Sequence, residues 1–196
     1  MTSHEPVSED LAGDLAGDLA GDLAGDLAAR VRRLEDLHAI GQLRAHYCQA
    51  LDDGRWDDLV DLFTPDGAFV GLSTARGHDE LRTFFSDLQD GPLSAWWHFS
   101  SNETIDLVGT PAHAATGATW LDQPCVVDGR AHVAAGRYQD RMVRGDDGRW
   151  RFAERQVTFF FWVPGDEDWA PGHYGWAPAR AAADVRTLER VTTSRR

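Results

Sequence analysis

The chain has 196 residues, enough for one well-buried domain and too few for two comfortable ones. Its net charge of −13 argues against a nucleic-acid partner, whose phosphates need a basic surface. It contains no run of about 18 apolar residues, the length needed to span a membrane. The acidity is uneven: residues 1–29 hold seven acidic residues and no Lys or Arg, which leaves −6 on the remainder.

From Asp10 to Ala28 the sequence repeats a four-residue unit, DLAG. Leu11, Leu15, Leu19, Leu23 and Leu27 recur at a step that drifts about 40° per unit around a helix. Leu and Ala favour that helix, but Gly13, Gly17, Gly21 and Gly25 each cost up to about 1 kcal/mol against Ala, so it is marginal alone. Residues 1–29 therefore read as a low-complexity tail without chemistry, either a docking helix or a tolerated expansion. Val31 to Asp53 is the clearest helix, with Val31, Leu34, Leu37, Ile40, Leu43, Tyr47 and Leu51 on one stripe and Gly54 as its terminator. Residues 56–63 make a short second helix with Trp56, Leu59, Val60 and Phe63 inward. TPDG then turns the chain, AFVGL is a short strand, and GHDELRTFFSDLQ is a third helix.

After Gly91 and Pro92 the period becomes two, and strands are expected over about 95–108, 113–126, 130–144 and 149–163. Asp128-Gly129 and Asp146-Asp147-Gly148 suit hairpin turns. Helices followed by a meander imply an α+β fold, a cone in which a curved antiparallel sheet wraps the helices. That domain covers residues 30–164. Residues 165–196 follow as an aromatic segment carrying Trp169, Tyr174 and Trp176, expected to fold over the cone's mouth as a lid or to pack on a second subunit.

The stretch AWWHFSSNETIDL, residues 95–107, places Trp96, His98, Ser100 and Asn102 on one face of its strand. A face carrying an imidazole, a hydroxyl and an amide beside an indole is either wet or lines a pocket where a proton is moved; we take it to line a pocket. Histidine is the side chain that accepts and returns a proton near neutrality, and a neighbouring carboxylate fixes its tautomer and stabilises the imidazolium. Metal chemistry lacks support: His46, His113 and His132 have no ligand cadence, and Cys48 and Cys125 form neither a disulfide framework nor a C-x-x-C pair. With no secretory signal at the N-terminus, a reducing cytoplasm is the expected compartment.

The order of these elements resembles the SnoaL-like branch of the nuclear-transport-factor-2-like superfamily. The marks are HYCQALDDGRWDDLVDLFTPDGAFV, HFSSNETIDL and GRYQDRMVRGDDGRWRFAERQV. Members include scytalone and bile-acid dehydratases, polyketide cyclases, isomerases and plain binding proteins. The resemblance implies a cofactor-free acid/base enzyme, a dehydratase, isomerase or cyclase, acting on a hydrophobic oxygenated small molecule in secondary metabolism. It also implies a homodimer. The family pattern of a Tyr five residues before an Asp falls on Tyr47 and Asp52, and its histidine on His98. Asp122 after Trp120 is the nearest match to a further acid, and Arg155 to a basic residue in the cone. Trp96, Asn102, Trp120, Asp122, Arg155 and Phe63 are the expected substrate-binding residues. Five residues correspond to about 140° around a helix, so Asp52 shares Tyr47's pocket only if the helix end frays or turns; Asp53 competes for the role. The alternative is a non-catalytic binding protein or accessory subunit of the same fold.

Overall fold

The computed structural model describes residues 9–91 and 93–166. Helix α1 runs Glu9–Asp52, so it takes in the whole repeat and starts well before the expected Val31. Once its C-terminal part is packed, each further turn adds a hydrogen bond without a new nucleus, and the Leu/Ala-rich repeat, free of proline, continues the rod. Ile40, Leu43, Tyr47, Ala50 and Leu51 form its buried stripe. The rod ends in a Schellman-type turn: Arg55 N–H donates to Ala50 O at 2.8 Å and Gly54 N–H to Leu51 O at 3.3 Å, with Gly54 at φ +66°.

Helix α2 (Trp56–Asp61) stops earlier than expected because the chain enters strand β1 (Phe63–Val70) at once. The TPDG stretch lies inside that strand as a bulge: Phe63 pairs with Phe152 and Ala68 with Glu154, so Thr64–Gly67 loop outward. Strand β2 (Thr74–Arg76) pairs back onto β1, and α3 (Gly77–Gln89) covers the expected span. The remaining strands are β3 (Leu93–Trp96), β4 (Phe99–Val108), β5 (Ala114–Val127), β6 (Arg130–Arg144) and β7 (Trp150–Pro164). Strands β5 and β6 pair without interruption around Asp128-Gly129, both at positive φ as a type I′ turn needs.

The sheet order is β2-β1-β7-β6-β5, with β3 and β4 both on the far edge of β5. Helices followed by this strongly curled sheet give the expected α+β cone, with one correction. The sheet is mixed, because β1 runs parallel to β7. These two strands are distant in sequence, so no hairpin dictates their sense. A second correction concerns the expected strand over 95–108, which is two strands. Trp96 pairs with Cys125 and Phe99 with Asp122, and between them the ladder fails opposite Pro124, which has no N–H to donate. Trp97 N–H still reaches Pro124 O at 3.1 Å, and His98 is left outside the ladder.

Candidate active site

Within that gap His98 faces the C-terminal end of α1. Its Nδ1 lies 2.5 Å from Asp52 Oδ1, and its backbone N–H donates to Asp52 Oδ2 at 3.1 Å. One carboxylate thus holds both the ring and the main chain. The His98 side chain is 5% exposed and that of Asp52 20%. With Nδ1 donating to the carboxylate, Nε2 carries the free lone pair, the arrangement a general base requires. The helix does not fray to bring this about. It stays regular through Asp52, and the inward face of the strand, which Trp96 and His98 share, meets it there. Asp53 instead pairs with Arg55 in solvent, at 3.2 Å.

His98, Trp96, Tyr47, Tyr138 and Gln123 share a cavity whose other walls are apolar, among them Phe69, Phe84, Leu88, Phe159 and Trp162. Its free volume is about 30 Å³, room for a water or two and not for a ring. Trp96 is fixed by its indole N–H, which donates to Leu51 O at 3.1 Å. Tyr47 stands edge-on to Phe63, Phe85, Tyr138 and Phe152 at centroid distances of 5.8–6.3 Å. Its hydroxyl is buried without a hydrogen-bond partner among the described residues. Burial, and secondarily Tyr138, push its phenol well above the usual range, against the opposing pull of Arg155. Burial likewise raises the Tyr138 phenol.

Behind the two tyrosines lies Arg155, fully buried, its guanidinium carbon 4.2 Å from the Tyr47 ring centroid, 3.8 Å from that of Tyr138 and 4.7 Å from that of Phe152. Its Nη1 is 3.6 Å from Asp140 Oδ2, and the same oxygen accepts from Arg44 Nε at 3.0 Å. None of the Arg155 nitrogens has a hydrogen bond among the described residues. Arg155 therefore lies in the cone, as expected, but touches the cavity only through the tyrosine rings.

The other expected binding residues divide. Trp96 lines the cavity. Phe63 does not: it packs beneath Tyr47 against Phe152, centroids 5.3 Å apart. Trp120 and Asp122 are on the outer face of the sheet, Trp120 43% exposed with its ring 5.2 Å from that of Phe160. The reason is parity on β5, where Thr119, Leu121, Gln123, Cys125 and Val127 point inward. Asn102 sits at φ +52° in a bulge between Ser101 and Thr104, exposed. The bulge breaks the strict alternation and keeps it out of the aromatic cavity, but it lines a polar groove of about 560 Å³ that His98 also lines, with Cys48, Ser100 and Glu103. Gln123 and Tyr138 are the polar lining residues that sequence reasoning missed. The apolar run at Leu121, Cys125 and Val127 carried the signal for Gln123. Trp169, Tyr174 and Trp176, and with them the expected lid, lie outside the described residues. Among the described residues no group of His, Cys, Asp and Glu is placed to hold a metal ion, and no helix is long and apolar enough to cross a membrane.

Solved structures share this fold. Hexachlorocyclohexane dehydrochlorinase LinA-type3 of Novosphingobium barchaimii is 17% identical, with a TM-score of 0.65 over 73% of this chain and 99% of its own. A candidate scytalone dehydratase of Novosphingobium aromaticivorans is 20% identical, with a TM-score of 0.62 over 71% and 93%. A candidate aromatic ring hydroxylase of the same organism is 28% identical, with a TM-score of 0.59 over 67% and 94%. The first two likenesses speak for the fold alone. No curated protein matches this chain. Residues 32–156 match the model of the SnoaL-like domain, and the chain belongs to that family, within the nuclear-transport-factor-2-like superfamily.

Proposed function

We propose that this protein is an acid/base enzyme that removes a proton beside a carbonyl of a hydrophobic, oxygenated small molecule, with elimination of water as the leading outcome. The reading rests on the bidentate hold of Asp52 on His98 at the wall of an aromatic cavity. His98 Nε2 takes the proton, Asp52 stabilises the imidazolium, and the same imidazolium returns the proton to the leaving hydroxyl, so water departs and a carbon–carbon double bond forms. Tyr47 supplies the hydroxyl that meets the developing enolate oxygen. Arg155, stacked behind Tyr47 and Tyr138, keeps that wall electropositive without touching the substrate. Aromatic walls exclude water and strengthen each of these interactions. The names of two structural neighbours, a dehydrochlorinase and a candidate dehydratase, denote eliminations, in keeping with this choice. The aromatic cavity is too small for a ring, so a substrate enters it only if wall residues such as Phe159 and Trp162 move aside, whereas the polar groove of about 560 Å³ that His98 also lines offers room beside the same imidazole.

Natural-product chemistry in a reducing cytoplasm fits the reading, since both Cys48 and Cys125 are buried free thiols. A homodimer formed through the outer sheet face accompanies it. Phe99, Trp120 and Phe160 make an apolar patch there, Phe99 being 60% exposed. The same patch favours the second reading, an accessory subunit whose role is assembly.

The test is turnover of a panel of hydrophobic β-hydroxy ketones, followed by loss of water in the mass spectrum. Deuterium uptake next to the carbonyl is measured in parallel. His98→Ala and Asp52→Asn are expected to lower both rates by about 10²–10⁴-fold while ligand binding persists. Turnover equal to that of the parent in both variants discards the mechanism. Activity lost only on Trp120→Glu favours the assembly reading.

A further inference from the structure

The first part of α1 is an arm rather than part of the core. Every described side chain from Gly21 to Glu35 is exposed, and Asp36 is the first buried one. Leu23, Leu27, Val31 and Leu34, at 70%, 59%, 43% and 65% exposure, follow steps of four, four and three residues. At 100° per residue they fall within about 80° of arc and form one apolar stripe. Asp22, Asp26, Arg30 and Arg33 all fall on the same side of that stripe. The flank is therefore acidic toward the N-terminus and basic toward the body.

This order of charges selects an occupant. When two helices pair antiparallel, the same flank of each faces the other, head against tail. Two copies of this arm then place Asp22 and Asp26 of one beside Arg33 and Arg30 of the other, with leucine stripe against leucine stripe. A parallel pair sets that flank against the opposite flank and loses the match. Arg33 has no ion pair among the described residues, and the Arg30–Asp26 contact within the arm, 3.8 Å with both groups exposed, leaves each open to a partner. The arginines also line a groove of about 420 Å³ with Leu107, Pro111 and Ala112, which leaves room beside the arm for the partner's acidic end. A helix interrupted by Gly21 and Gly25 is marginal in isolation, and burial of its stripe supplies what propensity does not.

We infer that residues 21–35 are a pairing arm through which a second copy of this chain docks antiparallel. The interface is separate from the outer sheet patch. Two different two-fold contacts in one chain build a tetramer where their axes allow closure and a filament where they do not. The inference does not depend on the proposed chemistry.

The experiment is sedimentation equilibrium on the full chain, with Trp120→Glu as the background that silences the sheet patch. In that background the parent arm is expected to give a dimer. Leu23→Asp with Leu27→Asp is expected to weaken it by at least about a hundredfold, giving a monomer of unchanged helical circular dichroism in the body. Arg30→Glu with Arg33→Glu is expected to do the same. Adding Asp22→Lys and Asp26→Lys to the arginine variant restores the dimer. A monomer in the Trp120→Glu background before any arm change, a dimer that survives the leucine variant, or a charge swap that fails to rescue each overturns the antiparallel pairing.

Discussion

Asp140 is the residue whose loss the structure prices most clearly. Its Oδ2 faces two guanidinium groups, Arg44 Nε at 3.0 Å and Arg155 Nη1 at 3.6 Å, and all three side chains are buried. At an effective dielectric of about 20, unit charges at those separations attract by about 5 kcal/mol each, before desolvation is subtracted. Asp140→Asn removes the anion and keeps the shape. Arg44 then retains Glu103, at 3.3 Å, and the Thr104 carbonyl. Arg155 retains only ring faces, worth about 2 kcal/mol when desolvated. The uncompensated buried charge is thus mainly that of Arg155, and the expected loss is about 3–5 kcal/mol of unfolding free energy. Urea titration followed by tryptophan fluorescence reads it directly. The double variant Asp140→Asn with Arg155→Met takes away the orphaned charge and should recover part of the loss. A cost below about 1 kcal/mol for Asp140→Asn, or a further loss on adding Arg155→Met, refutes the argument that Asp140 holds an otherwise unpaired buried cation.

Further outcomes follow from the same geometry. Tyr47→Phe removes a hydroxyl that has no hydrogen-bond partner among the described residues, so stability should hold within about 0.5 kcal/mol while turnover falls by about 10²–10³-fold; a large drop in the melting point with intact turnover reverses the assignment. Burial pushes the Cys125 thiol up to about 12 and raises that of Cys48, so a thiol reagent should label both only after unfolding, and rapid labelling of native protein would contradict this. Arg151, and the Arg149 backbone N–H, hold Asp147 at about 2 against an ordinary 3.8. Its contribution is present above about pH 4 and fades as pH falls through about 2, so Asp147→Asn should be slightly destabilising at neutral pH and converge on the parent only as acid melts are taken below about pH 2. Because the pair is exposed, added salt should shrink the difference.

Much of the fold was legible because it rests on period. Leu81 and Phe85 announce α3, and Ala134, Tyr138 and Met142 mark the inner face of β6. Asp128-Gly129 set a hairpin whose register then ran unbroken. What failed were places where backbone geometry overrides period. The bulge at Thr64–Gly67 kept turn-forming residues inside a strand, and the bulge at Asn102 moved an amide from the aromatic cavity to the polar groove on which His98 also borders. The parallel β1–β7 pair was hidden because partner choice between distant strands leaves no local trace. Trp120 and Asp122 followed from the resemblance, and in this chain both fall on the outward parity of β5.

The histidine was legible because alternation survives the gap in the ladder. Trp96 pairs with Cys125 and Phe99 with Asp122 in one unbroken register, so Trp96 and His98 keep one face. Across the gap Trp97 N–H donates to Pro124 O, and Pro124 has no N–H to return. The next N–H along the strand, that of His98, points away from β5, and Asp52 takes it up. That hydrogen bond and the contact to Nδ1 use both oxygens of one carboxylate, so one acid fixes both the ring and the main chain. Replacing Pro124 with Val gives Trp97 O a donor and leaves the His98 N–H on the Asp52 side. The expected consequence is an unshifted His98 imidazole resonance in Pro124→Val and a shifted one in Asp52→Asn, beside unchanged aromatic core signals in both. A resonance that moves in Pro124→Val would mean that the gap in the ladder, and not Asp52 alone, orients the ring.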